Sequence, residues 1–90
     1  MRYKNFEIRK PFVFGKPPTK DYFKYNFDLV KWNDDNSNCI SLAFLRYDKK
    51  EGCFNFDGVG TRYLKYREDG LEEFILRWCK LMEVIIEGET

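Results

Sequence analysis

Ninety residues suffice for one domain with a single small core and are too few for two. The hydrophobic share, 43%, is ordinary, but aromatic residues reach 19%, an excess that suits a sheet and leaves rings for a binding surface. A formal charge of +1 selects no partner through a global field, and the lack of any histidine removes the commonest general base near neutral pH and the commonest metal ligand.

Apolar residues fall at every second position from Phe6 to Phe14, with Lys10 as the break, which predicts a strand over about 5–14. Pro11 cannot donate to a ladder, so this is an edge strand or two short pieces. Residues 15–20, Gly-Lys-Pro-Pro-Thr-Lys, form a loop by composition. The next strand is expected over about 22–32, where Phe23, Tyr25, Phe27 and Leu29 alternate with Lys24, Asn26 and Asp28. The phase then slips at Val30 and Trp32, which predicts a β-bulge or strong bend near Leu29–Val30. Asn33 to Asn38 are six small polar turn formers.

Ile40, Leu42 and Phe44 alternate with Ser41 and Ala43 in a strand expected over about 39–47. A loop ending in Gly52 then leads to a strand over about 53–58, the pattern of a hairpin with a type I turn and a left-handed glycine. Phe54 and Phe56 are expected to share an inner face with Leu42 and Phe44. Residues 62–67 read as a further strand or an irregular crossing. The last quarter is an amphipathic helix over about 70–87. Asp69 is the expected N-cap, and Glu72 completes a capping box. Leu71, Phe74, Ile75, Trp78, Leu81, Met82 and Ile85 lie on one helical face.

These elements specify an α+β fold: an antiparallel sheet of four to five strands with one C-terminal amphipathic helix packed on one face. Several strands followed by one helix resembles the element order of the single-strand DNA-binding transcriptional coactivators. The resemblance is one of topology, rests on no diagnostic motif and assigns no residue.

The motifs exclude more than they assign. Cys39, Cys53 and Cys79 are an odd set without a CxxC, against a disulfide scaffold or a zinc ribbon. Cys39 and Cys53 are possible cross-strand neighbours, and Cys79 reads as buried and inert. Gly58-Val59-Gly60 lacks the third glycine of a dinucleotide loop. Asp34 to Asn38 lack the glycine and terminal glutamate of a calcium loop. No cofactor, metal site or catalytic residue is expected. No apolar run approaches the length of a membrane span and the chain opens Met-Arg-Tyr-Lys, so neither a leader nor a span is expected and the compartment is read as cytoplasmic.

Charge is uneven along the chain: residues 1–26 hold seven Lys/Arg against two acids. If Phe23, Phe27, Leu42, Phe44, Phe54, Phe56 and Leu64 face the helix, the opposite sheet face carries Tyr22, Lys24, Asn26, Leu45, Tyr47, Asn55, Tyr63, Lys65 and Arg67. Its candidate binding residues are Tyr22, Lys24, Tyr47, Tyr63, Lys65 and Arg67. Such a face suits a protein partner or a homodimer, or single-stranded nucleic acid through stacking and phosphate contacts. The helix offers a second candidate interface, Leu76, Cys79 and Ile86, off its main stripe. The function these features favour is a small non-enzymatic protein-binding or self-associating module, of the kind found among phage and bacterial accessory proteins, with single-stranded nucleic-acid binding as the alternative.

Overall fold

The polar turns at 33–38 and 49–52 are too short for a parallel crossover, so the strands they join must pair antiparallel with their sequence neighbours. A computed structural model of the protein describes residues 2–16, 19, 21–57 and 65–89. The chain runs β1 (Arg2–Tyr3), β2 (Phe6–Arg9), α1 (Tyr22–Tyr25), β3 (Asn26–Trp32), β4 (Cys39–Asp48), β5 (Cys53–Asp57) and α2 (Leu71–Gly88). All five strands form one antiparallel sheet in sequence order. The fold is therefore α+β, with α2 packed on one sheet face through Leu71, Ile75, Trp78 and Cys79.

Several boundaries differ from the periodic pattern. The first strand stops at Arg9 and gains a two-residue partner, β1, that no period could reveal. Tyr22 to Tyr25 are a helical turn, not strand: Lys24 and Tyr25 N–H donate to the Asp21 carbonyl, while Thr19 Oγ1 accepts from Tyr22 N–H. Local hydrogen bonds thus override the alternation of Phe23 and Tyr25. Of the stretch 62–67, residues 62–64 lie outside the described residues and Lys65 to Arg67 are not strand. The β4–β5 hairpin has the expected glycine, with Gly52 at φ +71° and its N–H donating to the Asp48 carbonyl.

The bulge falls where the ladder was expected to slip, but on the other strand. Leu29 pairs with Ala43 and Val30 with Ser41, which leaves Leu42 as the extra residue on β4. β3 itself alternates without a break. Phe27, Leu29 and Lys31 point to the helix, and Asp28, Val30 and Trp32 point away. Beyond the bulge the phase of β4 is inverted relative to a simple alternation. Leu45 and Tyr47 face the helix and are 0% and 7% exposed, whereas Phe44 turns outward at 46%. The expected inner place of Phe44 and outer places of Leu45 and Tyr47 are corrected accordingly.

α2 has the expected extent but a different start. Gly70, not Asp69, is the N-cap residue, at φ +87°, and no side chain caps the helix. Tyr3 decides this: its hydroxyl donates to the Asp69 carbonyl at 2.5 Å, and a Cβ on Gly70 would lie 2.6 Å from the Tyr3 hydroxyl oxygen. Glu72 is engaged by Arg67 rather than by a capping box. Trp78 anchors the helix, edge-on to Phe27 at 4.8 Å and tilted against Phe54 at 5.3 Å.

On the far sheet face one carboxylate is buried. Asp28 lies across from Arg9, accepts the Phe12 main-chain N–H, and keeps Oδ1 unpaired among the described residues. Burial raises its pKa above 3.8, against the opposing pull of Arg9 and the Phe12 N–H. A carboxyl whose folded pKa is raised favours the folded state while protonated, and that contribution is lost as pH rises through the folded value. Asp28→Asn is therefore expected to raise the urea midpoint at pH 7, with the gap over wild type closing as pH falls towards 4. An equal or larger gap at low pH would contradict this.

Candidate functional site

Among the described residues, the members of the expected Tyr/Lys/Arg face stand on different elements, and the inversion of β4 at the bulge moves one of them, Tyr47, to the other side of the sheet. Tyr47 turns to the helix side, where its hydroxyl donates to Glu87 Oε1 at 2.8 Å. That bond, with burial and the charge of nearby carboxylates behind it, pushes the phenol up to about 12. Tyr22 and Lys24 stand on α1, with Lys24 3.5 Å from a Glu89 carboxylate oxygen. Arg67 pairs with Glu72, and Lys65 lies over the Tyr66 ring. Tyr63 is outside the described residues.

The structure instead gathers an aromatic and basic groove at the hairpin end of the sheet. Asn26, Arg46 and Asn55 form one row across β3, β4 and β5. With Tyr25, Asp48, Lys49 and Lys50 they line a cleft of about 480 Å³. Tyr25 is not an open stacking platform: Tyr47 stacks on it at 6.0 Å and Lys49 lies 4.2 Å from its centroid. Lys49 is also 3.7 Å from Asp21, and Asp48 accepts the N–H groups of Lys50 and Glu51. The groove therefore offers cations and amides more than ring faces.

The helix candidate divides in two. Cys79 and Ile86 are buried, and only Leu76 of the expected trio is exposed. The helix is rolled about its axis relative to the expected stripe, so Leu81, Val84 and Ile85 come outside at 49%, 71% and 42% exposure. The cause lies on its other flank. Glu87 takes the Tyr47 hydroxyl, and Glu83 accepts the Phe54 main-chain N–H at 3.1 Å. These two bonds draw that flank against β4 and β5, and the opposite flank is lifted away. Burial drives the Cys79 thiol up to about 11, which makes it a packing residue and not a nucleophile.

Cys39 and Cys53 are not neighbours. Cys39 opens β4 and Cys53 pairs with Asp48 at its other end, about 30 Å away at ~3.3 Å per residue. The Asn33–Asn38 run is a closed turn, in which Asn33 Oδ1 accepts from Ser37 and Asn38 N–H. Among the described residues no cluster of His, Cys, Asp and Glu is suited to a metal, and no helix is long and apolar enough to cross a membrane. Sequence reasoning missed the exposed edge-to-face pair of Phe12 and Phe14, 5.0 Å apart. Placing both in a strand hid them, although Pro11 and Gly15 on either side argued for irregular backbone.

Comparison with protein-family models, curated proteins and solved structures finds no match.

The Tyr47–Glu87 bond gives a direct check on the helix setting. Tyr47→Phe keeps the ring stack on Tyr25 and removes only the donor. Amide exchange over residues 83–88 is expected to speed up severalfold relative to residues 72–78. Uniform protection along α2 in this variant would show that the bond does not hold the last turns.

Proposed function

We propose that the chain is a small non-enzymatic association module, acting in a reducing, cytoplasmic setting, whose first partner is a second copy of itself. The observation that carries this is the outward flank of α2, Leu81, Val84 and Ile85. Contiguous apolar side chains on a helix face mark association surfaces more often than idle surface. An antiparallel pair of α2 helices about a two-fold axis at Val84 would bury this flank against itself. It would also bring Lys80 of each copy beside the other's C-terminal turn. That turn carries Glu87 and no basic residue to offset the helix dipole. Three such side chains fall short of the ~800 Å² per partner of a standard interface, so the dimer is weak, with a dissociation constant on the order of 100 μM.

Light scattering across a concentration series should show the mass rising towards two copies above that range, with Val84→Glu monomeric throughout. A wild type that stays monomeric at millimolar concentration and takes up no stoichiometric protein partner would remove this reading.

A second reading, single-stranded nucleic-acid binding, is favoured by the groove of Asn26, Arg46, Lys49, Lys50 and Asn55. With the Tyr25 ring already covered, its contacts would go to phosphate rather than to bases. Anisotropy with a labelled oligonucleotide should then show affinity that falls steeply with salt and little with sequence, and that Lys49→Ala with Lys50→Ala weakens. Affinity indifferent to salt would exclude the phosphate mechanism.

A further inference from the structure

Strand alternation reserves the helix-facing positions of a central strand for apolar residues. β3 is the central strand, and it obeys this at Phe27 and Leu29 and breaks it at Lys31. Lys31 lies between Phe6 of β2 and Ile40 of β4 in the ladder. Its ammonium sits 4.9 Å from the Phe6 ring centroid and 5.5 Å from that of Tyr66. Ring faces attract a cation, but they do not neutralise it. No carboxylate pairs with Lys31 among the described residues. The other lysine on this face is different, since Lys10 donates to the Phe23 carbonyl. Lys31 is thus a half-buried cation with no counter-charge among the described residues.

Beside it is a cleft of about 220 Å³, lined by Lys31, Trp32, Cys39, Ile40, Tyr66 and the Asn33 and Asn38 ends of the turn. The lining is mostly apolar. The volume lies below the ~300–1,000 Å³ of pockets for drug-sized ligands, so it suits a single ring. We infer that this cleft is a binding site for a small planar carboxylate, with its ring against Ile40 and Tyr66 and its carboxylate on Lys31 Nζ. Burying an anion here supplies the missing partner of a cation already half withdrawn from water, so a charged ligand is preferred over its neutral isostere. The cleft is separate from the outward flank of α2 and from the hairpin groove, so its test is independent of both.

The probes are benzoate and its neutral counterpart benzamide, titrated into the full chain and followed by amide resonances. Benzoate is expected to give saturable shifts at Lys31, Trp32, Cys39, Ile40 and Tyr66, with benzamide roughly tenfold weaker, the worth of one charge-assisted hydrogen bond. Lys31→Met should abolish the preference and leave resonances away from the cleft unchanged. Equal affinity for the two probes, absence of saturable benzoate shifts, or a preference that survives Lys31→Met would each overturn the site.

Discussion

Leu42 is one residue more than β3 can pair with, and the rest of the architecture depends on that mismatch. Two consecutive β4 side chains, Leu42 and Ala43, join the core at the bulge, and the strand beyond it continues in the opposite phase. Without the extra residue, Phe44 would enter the core and Tyr47 would stand on the open face. With it, Leu45 fills the centre and Tyr47 comes under the C-terminal turns of α2. A single insertion therefore determines which face meets the helix and which hydroxyl the helix can use.

The helix answers to that placement. Trp78 wedges between Phe27 and Phe54, which fixes the middle of α2 over β3 and β5. Tyr47 then holds Glu87, and Glu83 takes the Phe54 main-chain N–H. Phe54 belongs to the last strand of the sheet, where an unpaired N–H invites another strand. The carboxylate closes that position, so the same contact blunts an edge and sets the roll of the helix. The roll exposes Leu81, Val84 and Ile85. Protection of the sheet edge and exposure of an apolar helix flank are two consequences of one geometry.

Much of this was legible in the residues themselves. The period of α2, the Asn33–Asn38 turn and the β4–β5 hairpin with its left-handed Gly52 all carry local chemistry that specifies them. What stayed hidden was relational. A period-2 pattern shows that β4 is a strand but not where a one-residue mismatch with its neighbour falls, and so could not place Phe44, Leu45 or Tyr47. The Val30 and Trp32 signal was real, yet it came from an outward face that is itself apolar at those positions, not from a slip within β3. Gly70 as N-cap depends on Tyr3, which lies far away in sequence. The described members of the candidate Tyr/Lys/Arg face stand apart for related reasons: register turned Tyr47 to the helix side, and Tyr22, Lys24, Lys65 and Arg67 were placed by alternation in segments that are not strand.

Where local and global patterns disagree without repair, a cost in stability is being sustained. Most of the discordant residues here are repaired. Lys10 meets the Phe23 carbonyl, and Asp28 is repaired in part, by Arg9 and the Phe12 N–H, with Oδ1 left unpaired among the described residues. Trp32, outward on β3, donates to Glu7 and lies beneath the guanidinium groups of Arg2 and Arg9. Among the described residues Lys31 keeps ring contacts and no carboxylate on the helix-facing side of the central strand, where a leucine or methionine would complete the stripe begun by Phe27 and Leu29. A long flexible stem could carry its charge to water without any cleft. In that case the lining around it need not be concave or apolar. That both hold at one lysine is what separates Lys31 from an ordinary snorkelling side chain.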